Sequence, residues 1–238
     1  MKRNLFFFCL FFVCGMSSSA AAQQNHSNKE RLEFQYHYFR MERATLLNST
    51  NFVSRTGAYI EFTDLNQLGN YWDWYYHLGV GFNQFEASES NTLDNPYFIP
   101  YQVGLGTLYR FGRMKSLYIL IGIEGGSEIY ASALTATSFE LMNTYSGRVK
   151  LGFGLYLMSL TAANAEIQVS ITQPVTPIEF NSDEVRYNLI GEGLLRMKFH
   201  YSASWGLVGK ARFEDYENVT SQRTYFNSRL YAGFFLEY

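Results

Sequence analysis

His200, Ser202 and Glu214 form the candidate catalytic set that this sequence offers. Many hydrolases use a serine, a histidine and a carboxylate for nucleophilic catalysis, in which an activated hydroxyl attacks an acyl group. His200 and Ser202 are two residues apart, so on an extended strand both side chains point to the same face. The elements that carry these residues decide whether Glu214, twelve residues after Ser202, meets the other two.

The predicted strands place Glu214 far from His200. We expect a hairpin turn at residues 202–203, so that His200 ends one strand and Glu214 lies near the far end of the next. At about 3.3 Å per residue, the separation is roughly 30 Å. A turn at Gly206 would bring the three residues together, but it would put Trp205 inside the turn. We therefore predict no catalytic site and keep the set as an alternative.

Alternation of apolar and polar residues, which is typical of strands with two different faces, recurs through most of the chain. In the segment 143–157, for example, Val149 and Leu151 alternate with Arg148 and Lys150. Ten such segments lie near residues 31–42, 53–63, 72–86, 97–111, 115–130, 143–157, 164–172, 184–201, 204–215 and 224–238. Strands of soluble folds usually have about 5–6 residues, whereas a tilted strand that crosses a membrane needs about 9–11. The segment lengths favour a membrane.

A sheet in a membrane must have no free edge, because hydrocarbon offers no partner to an unpaired backbone amide. The last strand must therefore pair with the first. We predict an all-β fold over residues 31–238: a closed antiparallel transmembrane up-and-down β-barrel of about ten strands, with eight or twelve also compatible. The connections after predicted strands 2, 4, 6 and 8 are short, and the others, such as 87–96 and 173–183, are mostly longer, as in membrane barrels.

The first residues have the order of a secretory signal peptide. Lys2 and Arg3 precede an uncharged apolar run over 5–13, and small residues fill 17–22. Ala20 and Ala22 fit the small–x–small cleavage rule. We assign residues 1–22 to a signal peptide that is removed and 23–30 to a short polar segment.

The composition excludes several classes of function. Both cysteines, Cys9 and Cys14, lie in the predicted signal peptide, so we expect no disulfide and no thiolate nucleophile. The four histidines lack ligand spacing, and we predict neither a metal nor another cofactor. A net charge of -2 argues against a nucleic acid partner. Charged residues are 17% against about 25% in soluble domains, and aromatic residues are 18%, which suits a surface that faces lipid.

The polar face of the strands mixes glycine with large charged groups, and we expect it to face the lumen. Buried charges persist when they are paired and hydrogen-bonded. We therefore predict a network of carboxylates with arginines and lysines that fills the lumen. Its members are Arg110, Glu124, Arg148, Lys150, Glu192, Arg196, Lys198, Lys210, Arg212, Arg229 and Glu237.

Aromatic residues of the apolar face collect at the end of the barrel at which both chain termini are expected. They are Trp72, Trp74, Tyr109, Phe111, Phe199, Tyr201, Trp205 and Tyr238. Aromatic rings with a polar edge favour the headgroup region of a bilayer. We predict a membrane-interface girdle at this level, with lipid as the surrounding partner.

The ending 231–238, Tyr-Ala-Gly-Phe-Phe-Leu-Glu-Tyr, resembles the terminal strand of bacterial outer-membrane β-barrels, which ends in an aromatic residue preceded by alternating hydrophobic residues. Tyr238 replaces the more frequent terminal Phe. The resemblance covers the mature chain as a pattern and this strand as a motif. It implies location in the outer membrane of a Gram-negative, diderm bacterium and recognition by the barrel-assembly machinery.

The set His200, Ser202 and Glu214 is similar to that of the outer-membrane lipid A deacylases, barrels with a His–x–Ser pair and a supporting Glu. The resemblance implies Ser202 as nucleophile, His200 as base and Glu214 as the group that orients the base. That family has Asn after the serine, where this sequence has Ala203.

Three functions follow from this architecture, and we rank them. The first is a structural or surface-interaction barrel, for which we favour a monomer and no enzymatic activity. The second is a narrow passive channel, which would favour anions because basic groups outnumber acids on predicted strands 6, 8, 9 and 10. The third is a lipid A-modifying hydrolase. The rival architecture is a soluble secreted barrel that binds an apolar ligand in a lumen lined by the aliphatic face.

Overall fold

The protein is described by a computed structural model. The structure describes residues 29–44, 49–87, 91–111, 116–135, 137–158, 164–175, 178–180, 183–199, 204–218 and 223–238. The predicted signal peptide and residues 23–28 lie outside these ranges.

The described residues form thirteen strands. These are β1 (Lys29–Ala44), β2 (Ser49–Gln67), β3 (Trp72–Ala87), β4 (Thr92–Asp94), β5 (Tyr97–Phe98), β6 (Tyr101–Phe111), β7 (Leu117–Ala133), β8 (Ser138–Met158), β9 (Asn164–Pro174), β10 (Ile178–Phe180), β11 (Asp183–Lys198), β12 (Trp205–Asn218) and β13 (Arg223–Glu237). None of the described segments is a helix long and apolar enough to cross a membrane.

Ten of these strands close into an antiparallel barrel. The order around it is β1, β2, β3, β6, β7, β8, β9, β11, β12 and β13, and β13 pairs with β1 from Arg31↔Glu237 to Ala44↔Thr224. The predicted number of strands and the predicted pairing of the last strand with the first are both confirmed. β1 begins at Lys29, two residues before the expected start of the barrel.

The three remaining strands are short and lie at one end. β5 continues the line of β6 along β3, interrupted at Pro100, whose ring nitrogen cannot donate to the ladder. β4 pairs with β8 in parallel, and β10 pairs with β11. We call this the loop end, and we call the end at which β1 begins and β13 finishes the terminal end.

The apolar face of the strands points outward. Val80 and Phe153 are 50% and 40% exposed, whereas Arg196 and Lys210 are each 8% exposed. A soluble barrel that binds an apolar ligand would show the opposite distribution. The orientation predicted from the sequence is therefore the observed one.

The connections at the loop end differ from those expected. Four residues separate β1 from β2, β7 from β8, and β12 from β13, because the strands themselves continue through most of the segments that the sequence assigns to long loops. Long connections remain between β3 and β6 and between β9 and β11, as predicted. The barrel wall is thus taller at the ends of β1, β2, β12 and β13 than the sequence indicates.

Candidate functional site

The middle of the lumen is occupied by two lysines, each held by carboxylates. The Lys150 ammonium lies 2.9 Å from Glu124 and 2.9 Å from Glu192. Lys210 lies 2.9 Å from Glu61 and over the ring of Tyr231, at 5.0 Å from its centroid. Because β8 and β12 carry these lysines and β7, β11 and β2 carry the carboxylates, the pairs connect different parts of the wall.

Above this level, toward the loop end, Glu128 of β7 lies on the barrel axis. Its side chain is fully buried and pairs with Arg148 of β8, with Arg229 of β13 at 3.3 Å and with Arg212 of β12 at 3.5 Å. Glu214 lies beside it and receives hydrogen bonds from Arg212 at 2.7 Å and from Arg229 at 3.0 Å. Three guanidinium groups and two carboxylates therefore fill the cross-section of the barrel at this height.

Below the middle, toward the terminal end, further buried ion pairs follow, and the pairs become more open to solvent at the mouth. Arg196 donates to Glu33 at 2.6 Å and to Glu166 at 3.2 Å, and Arg110 donates to Asp73 at 2.5 Å. At the mouth of the barrel, Glu237 is shared by three cations: Lys198 at 2.7 Å, Arg31 at 3.0 Å and Lys29 at 3.4 Å.

The structure places all eleven residues of the predicted network inside the barrel, each in at least one ion pair. The predicted network lacks eight residues that these ion pairs contain: Glu128, Arg31, Lys29, Glu33, Glu61, Asp73, Glu166 and Glu214. Alternation could have identified Glu128 and Arg31. Each lies an even number of residues from a carboxylate of the inward face on the same strand, Glu128 from Glu124 and Arg31 from Glu33.

The loop end of the lumen is closed by the tip of the β7–β8 hairpin. Residues 129–131 of β7 are all buried, on both faces of the strand, and they lie beyond Gly126, the last residue of β7 that pairs with β6. We call residues 129–135 and 137–143 the plug hairpin. One face of it packs in an apolar cluster with inward-facing residues of the first strands; the cluster contains Phe39, Met41, Phe52, Phe85, Phe98, Ile129, Ala131, Phe139 and Leu141. The rings of Phe52 and Phe139 lie 5.2 Å apart.

The other face of the plug hairpin packs against β11, β12 and β13. Tyr130 contacts a cluster that includes Ile190, Tyr216 and Tyr225. The Tyr216 hydroxyl donates to the backbone oxygen of Ile129 at 2.9 Å. The plug hairpin extends from β7 and β8, and it contacts β12, β13, β1 and β2 on the far side of the ring, so it crosses the mouth.

The terminal end holds the open space of the lumen. A narrow cavity that opens to solvent is lined by charged residues that include Arg31, Glu166 and Arg196. A second narrow cavity lies deeper, shares these three residues and reaches Lys150 and Lys210. We call the two together the terminal vestibule. The lumen is thus open from one end to its middle and filled beyond it.

Comparison with known proteins supports the architecture. No protein-family model matches the sequence, and no curated protein matches it either. Among solved structures, an outer-membrane channel from Pseudomonas putida F1 aligns with a TM-score of 0.51 at 7% identity, covering 94% of this chain and 100% of that one. This chain has the fold of an outer-membrane β-barrel. The outer-membrane protease OmpT from Escherichia coli aligns with a TM-score of 0.47 at 7% identity, covering 93% of this chain and 100% of its own.

The outer surface of this outer-membrane barrel fold carries exposed aromatic residues at the level of the predicted girdle, whose position at a membrane interface stays a prediction. Trp72, Trp74 and Trp205 are exposed on the outer face near the terminal end, and Trp72 lies 4.7 Å from Tyr109 between ring centroids. The described members of the predicted girdle all belong to this level: Trp72, Trp74, Tyr109, Phe111, Phe199, Trp205 and Tyr238. Tyr201 lies outside the described residues.

A second aromatic band, which the sequence reasoning did not identify, lies toward the loop end. Its exposed members are Phe82, Tyr97, Tyr101, Tyr145, Phe213 and Phe226. On β6, Tyr101 and Tyr109 mark the two bands eight residues apart. With about 3.3 Å per residue and a strand tilt of about 45°, the distance between the bands across the membrane is roughly 20 Å.

Only one member of the candidate catalytic set lies in the described part of the chain. His200 and Ser202 lie outside it, and Glu214 is fully buried, engaged with Arg212, Arg229 and Asn227. A catalytic role for the set stays a prediction; unchanged lipid A acylation in a Ser202→Ala strain would contradict it. Among the described residues, no group of three His, Cys, Asp or Glu side chains is arranged to hold a metal ion.

Proposed function

We propose that the protein is an integral outer-membrane barrel with a closed lumen, and that its role is structural or in surface interactions rather than in passage of solutes. The observation that supports a closed lumen is the contact of Glu128 with Arg229, which belong to strands on opposite sides of the barrel. The plug hairpin adds an apolar layer above this contact.

Energetics support a lumen that stays closed. Removing one partner of a buried ion pair costs about 3–5 kcal/mol, because a charge is left without compensation. An open path through the level of Glu128 would separate it from at least two of its three arginines. Thermal fluctuation at physiological temperature supplies far less than this cost.

The outer surface supports the membrane location. Exposed Ile, Leu, Val and Phe side chains cover the wall between the two aromatic bands, including Leu105, Ile121 and Leu151. An apolar band of about 25 Å flanked by aromatic girdles is the surface of membrane barrels. In water, such a surface would exceed the apolar patches that soluble monomers expose.

Planar-bilayer recording of the purified full chain tests the closed lumen. We expect no stepwise conductance, with a general porin reconstituted in parallel as the positive control. A variant in which residues 130–142 are replaced by a short turn removes the plug hairpin, and we expect it to show transient currents. Stable, single-channel steps from the unaltered protein would contradict the proposal.

A narrow passive channel is the second candidate, and the terminal vestibule favours it. This space reaches from the mouth to Lys150 and Lys210, about half the height of the barrel. A channel would need a path past Glu128 and the plug hairpin. If the unaltered protein conducts, the reversal potential in a salt gradient reports whether the path favours anions.

A further inference from the structure

The mouth of the terminal vestibule has more positive charge than its carboxylates neutralise. The charged residues that line the outer cavity are the cations Lys29, Arg31, Arg110, Arg196 and Lys198 and the carboxylates Asp73, Glu166 and Glu237. Glu33 pairs with Arg196 from behind this lining, so the five cations face four carboxylates. The chain as a whole carries a net charge of -2, so this local excess runs against the overall balance.

The ion pairs locate the excess of positive charge at the rim of the cavity. Deeper in the cavity Arg110 is neutralised by Asp73, and Arg196 is held between Glu33 and Glu166. At the rim, Lys29, Arg31 and Lys198 share Glu237, with Glu166 a further 3.6 Å from Arg31.

The cations at the rim remain accessible to a solute. The side chains of Lys29 and Lys198 are 23% and 17% exposed, and both face a cavity that opens to solvent. Each ammonium group has three donors. Because both groups line this cavity, a solute that enters it comes within reach of them.

We propose that the terminal vestibule binds a small soluble oxyanion, of the phosphate or carboxylate class, through Lys29, Arg31 and Lys198. Charge-assisted hydrogen bonds from ammonium and guanidinium groups to oxyanions are roughly twice as strong as neutral ones. Three of them converge at a partly enclosed site, where water screens charge less than at an open surface. The vestibule lies inside the wall, so the ligand comes from solution and not from the surrounding lipid. This proposal is independent of whether the lumen conducts.

Glu237 competes with the oxyanion for the same three cations, which provides an unusual test. Removing its charge by Glu237→Gln frees these cations, and the affinity for the anion rises. Removing one of them by Lys198→Gln lowers it. A variant that is merely damaged would not bind more tightly, so the two substitutions separate a binding site from a structural ion cluster.

The experiment is calorimetric titration of the folded protein in detergent with inorganic phosphate at low ionic strength. We expect binding that weakens with added sodium chloride, a loss of about tenfold in Lys198→Gln and a gain of about tenfold in Glu237→Gln, the ratio that one charge-assisted hydrogen bond provides. Arg40→Gln is the matched control, because Arg40 is an exposed cation on the outer face nearer the loop end.

Two outcomes would overturn the proposal. One is that protein with the gel mobility of a folded barrel does not bind phosphate at millimolar concentrations. The other is binding that Glu237→Gln weakens, or that Lys198→Gln and Arg40→Gln change to the same extent, since the anion would then be bound elsewhere.

Discussion

Glu128 of β7 accepts a hydrogen bond from Arg229 of β13 at 3.3 Å, although four strands lie between the two on either side of the ten-stranded ring. The side chains of diametrically opposite strands thus meet on the axis. This contact, more than the number of charged residues in the lumen, distinguishes a filled barrel from a lined pore.

Glu128→Gln is expected to destabilise the fold strongly. Arg148 would then lose its carboxylate partner, and Arg212 and Arg229 would keep Glu214, in a site closed to water. The expected loss in free energy of unfolding is about 3–5 kcal/mol. Denaturant unfolding in lipid vesicles measures it. Glu86→Gln, at an exposed carboxylate of β3, is the control, with an expected change within about 0.5 kcal/mol. Equal effects would show that the axial cluster contributes no special stability.

Substitution of two phenylalanines of β8 compares packing inside the plug hairpin with contact with lipid. Phe139→Ala leaves a cavity in the buried cluster of the plug hairpin, and we expect a loss of about 3–5 kcal/mol. Phe153→Ala, on the outer face, is expected to cost clearly less, because acyl chains fill the vacated space. The same unfolding assay measures both. A larger loss for Phe153→Ala would contradict the assignment of the plug hairpin to the lumen.

A charge on the outer face should be tolerated according to its depth. Leu105 lies midway between the aromatic bands on β6, so Leu105→Arg is expected to lower the free energy of unfolding by about 2–4 kcal/mol in lipid. Tyr101→Arg, at the edge of the band, should cost about 0–1 kcal/mol. If both changes cost the same, the space between the bands does not face hydrocarbon.

All three tryptophans lie at the terminal end of the outer face, so their fluorescence reports one depth. In vesicles with lipids that carry a quencher at a defined position, a quencher near the headgroups should quench them more than one near the bilayer centre. Quenching by a water-soluble quencher, measured separately, gives the accessibility of the rings from the aqueous phase. Quenching that comes only from the aqueous phase would place these rings outside the membrane.

Membrane fractionation and gel mobility provide the simplest test of the architecture. We expect the protein in the outer-membrane fraction, with faster migration in unheated sample than after boiling, because a closed hydrogen-bonded barrel resists detergent until heated. A periplasmic soluble protein serves as the control. Recovery in the soluble fraction with one mobility would contradict a membrane barrel.

The ten strands and the orientation of their faces were determined by the sequence itself. Apolar residues such as Val80, Leu105 and Phe153 alternate with polar ones at a period of two, and a period of two needs no tertiary information to be read. The inward direction of Arg196 and Lys210 follows from the same alternation once lipid is taken as the outer solvent. The closure of β13 on β1 follows from the cost of unpaired amides in hydrocarbon.

Only the tertiary structure decided which inward residues meet and where the lumen closes. In β2 the pairing register shifts between Val53 and Thr56. Even-numbered residues such as Ser54 face inward before the shift, and odd-numbered residues such as Tyr59 face inward after it. Alternation along the sequence does not predict such a shift. The plug hairpin has alternating residues like any other hairpin, and its bend into the lumen depends on Phe52, Tyr216 and Tyr225, which lie far away in the chain. Pairing of Glu128 with Arg229 likewise depends on the circumference of the closed barrel. Periodicity is local along the chain, whereas contacts across a lumen are set by strand number, register and bulges together.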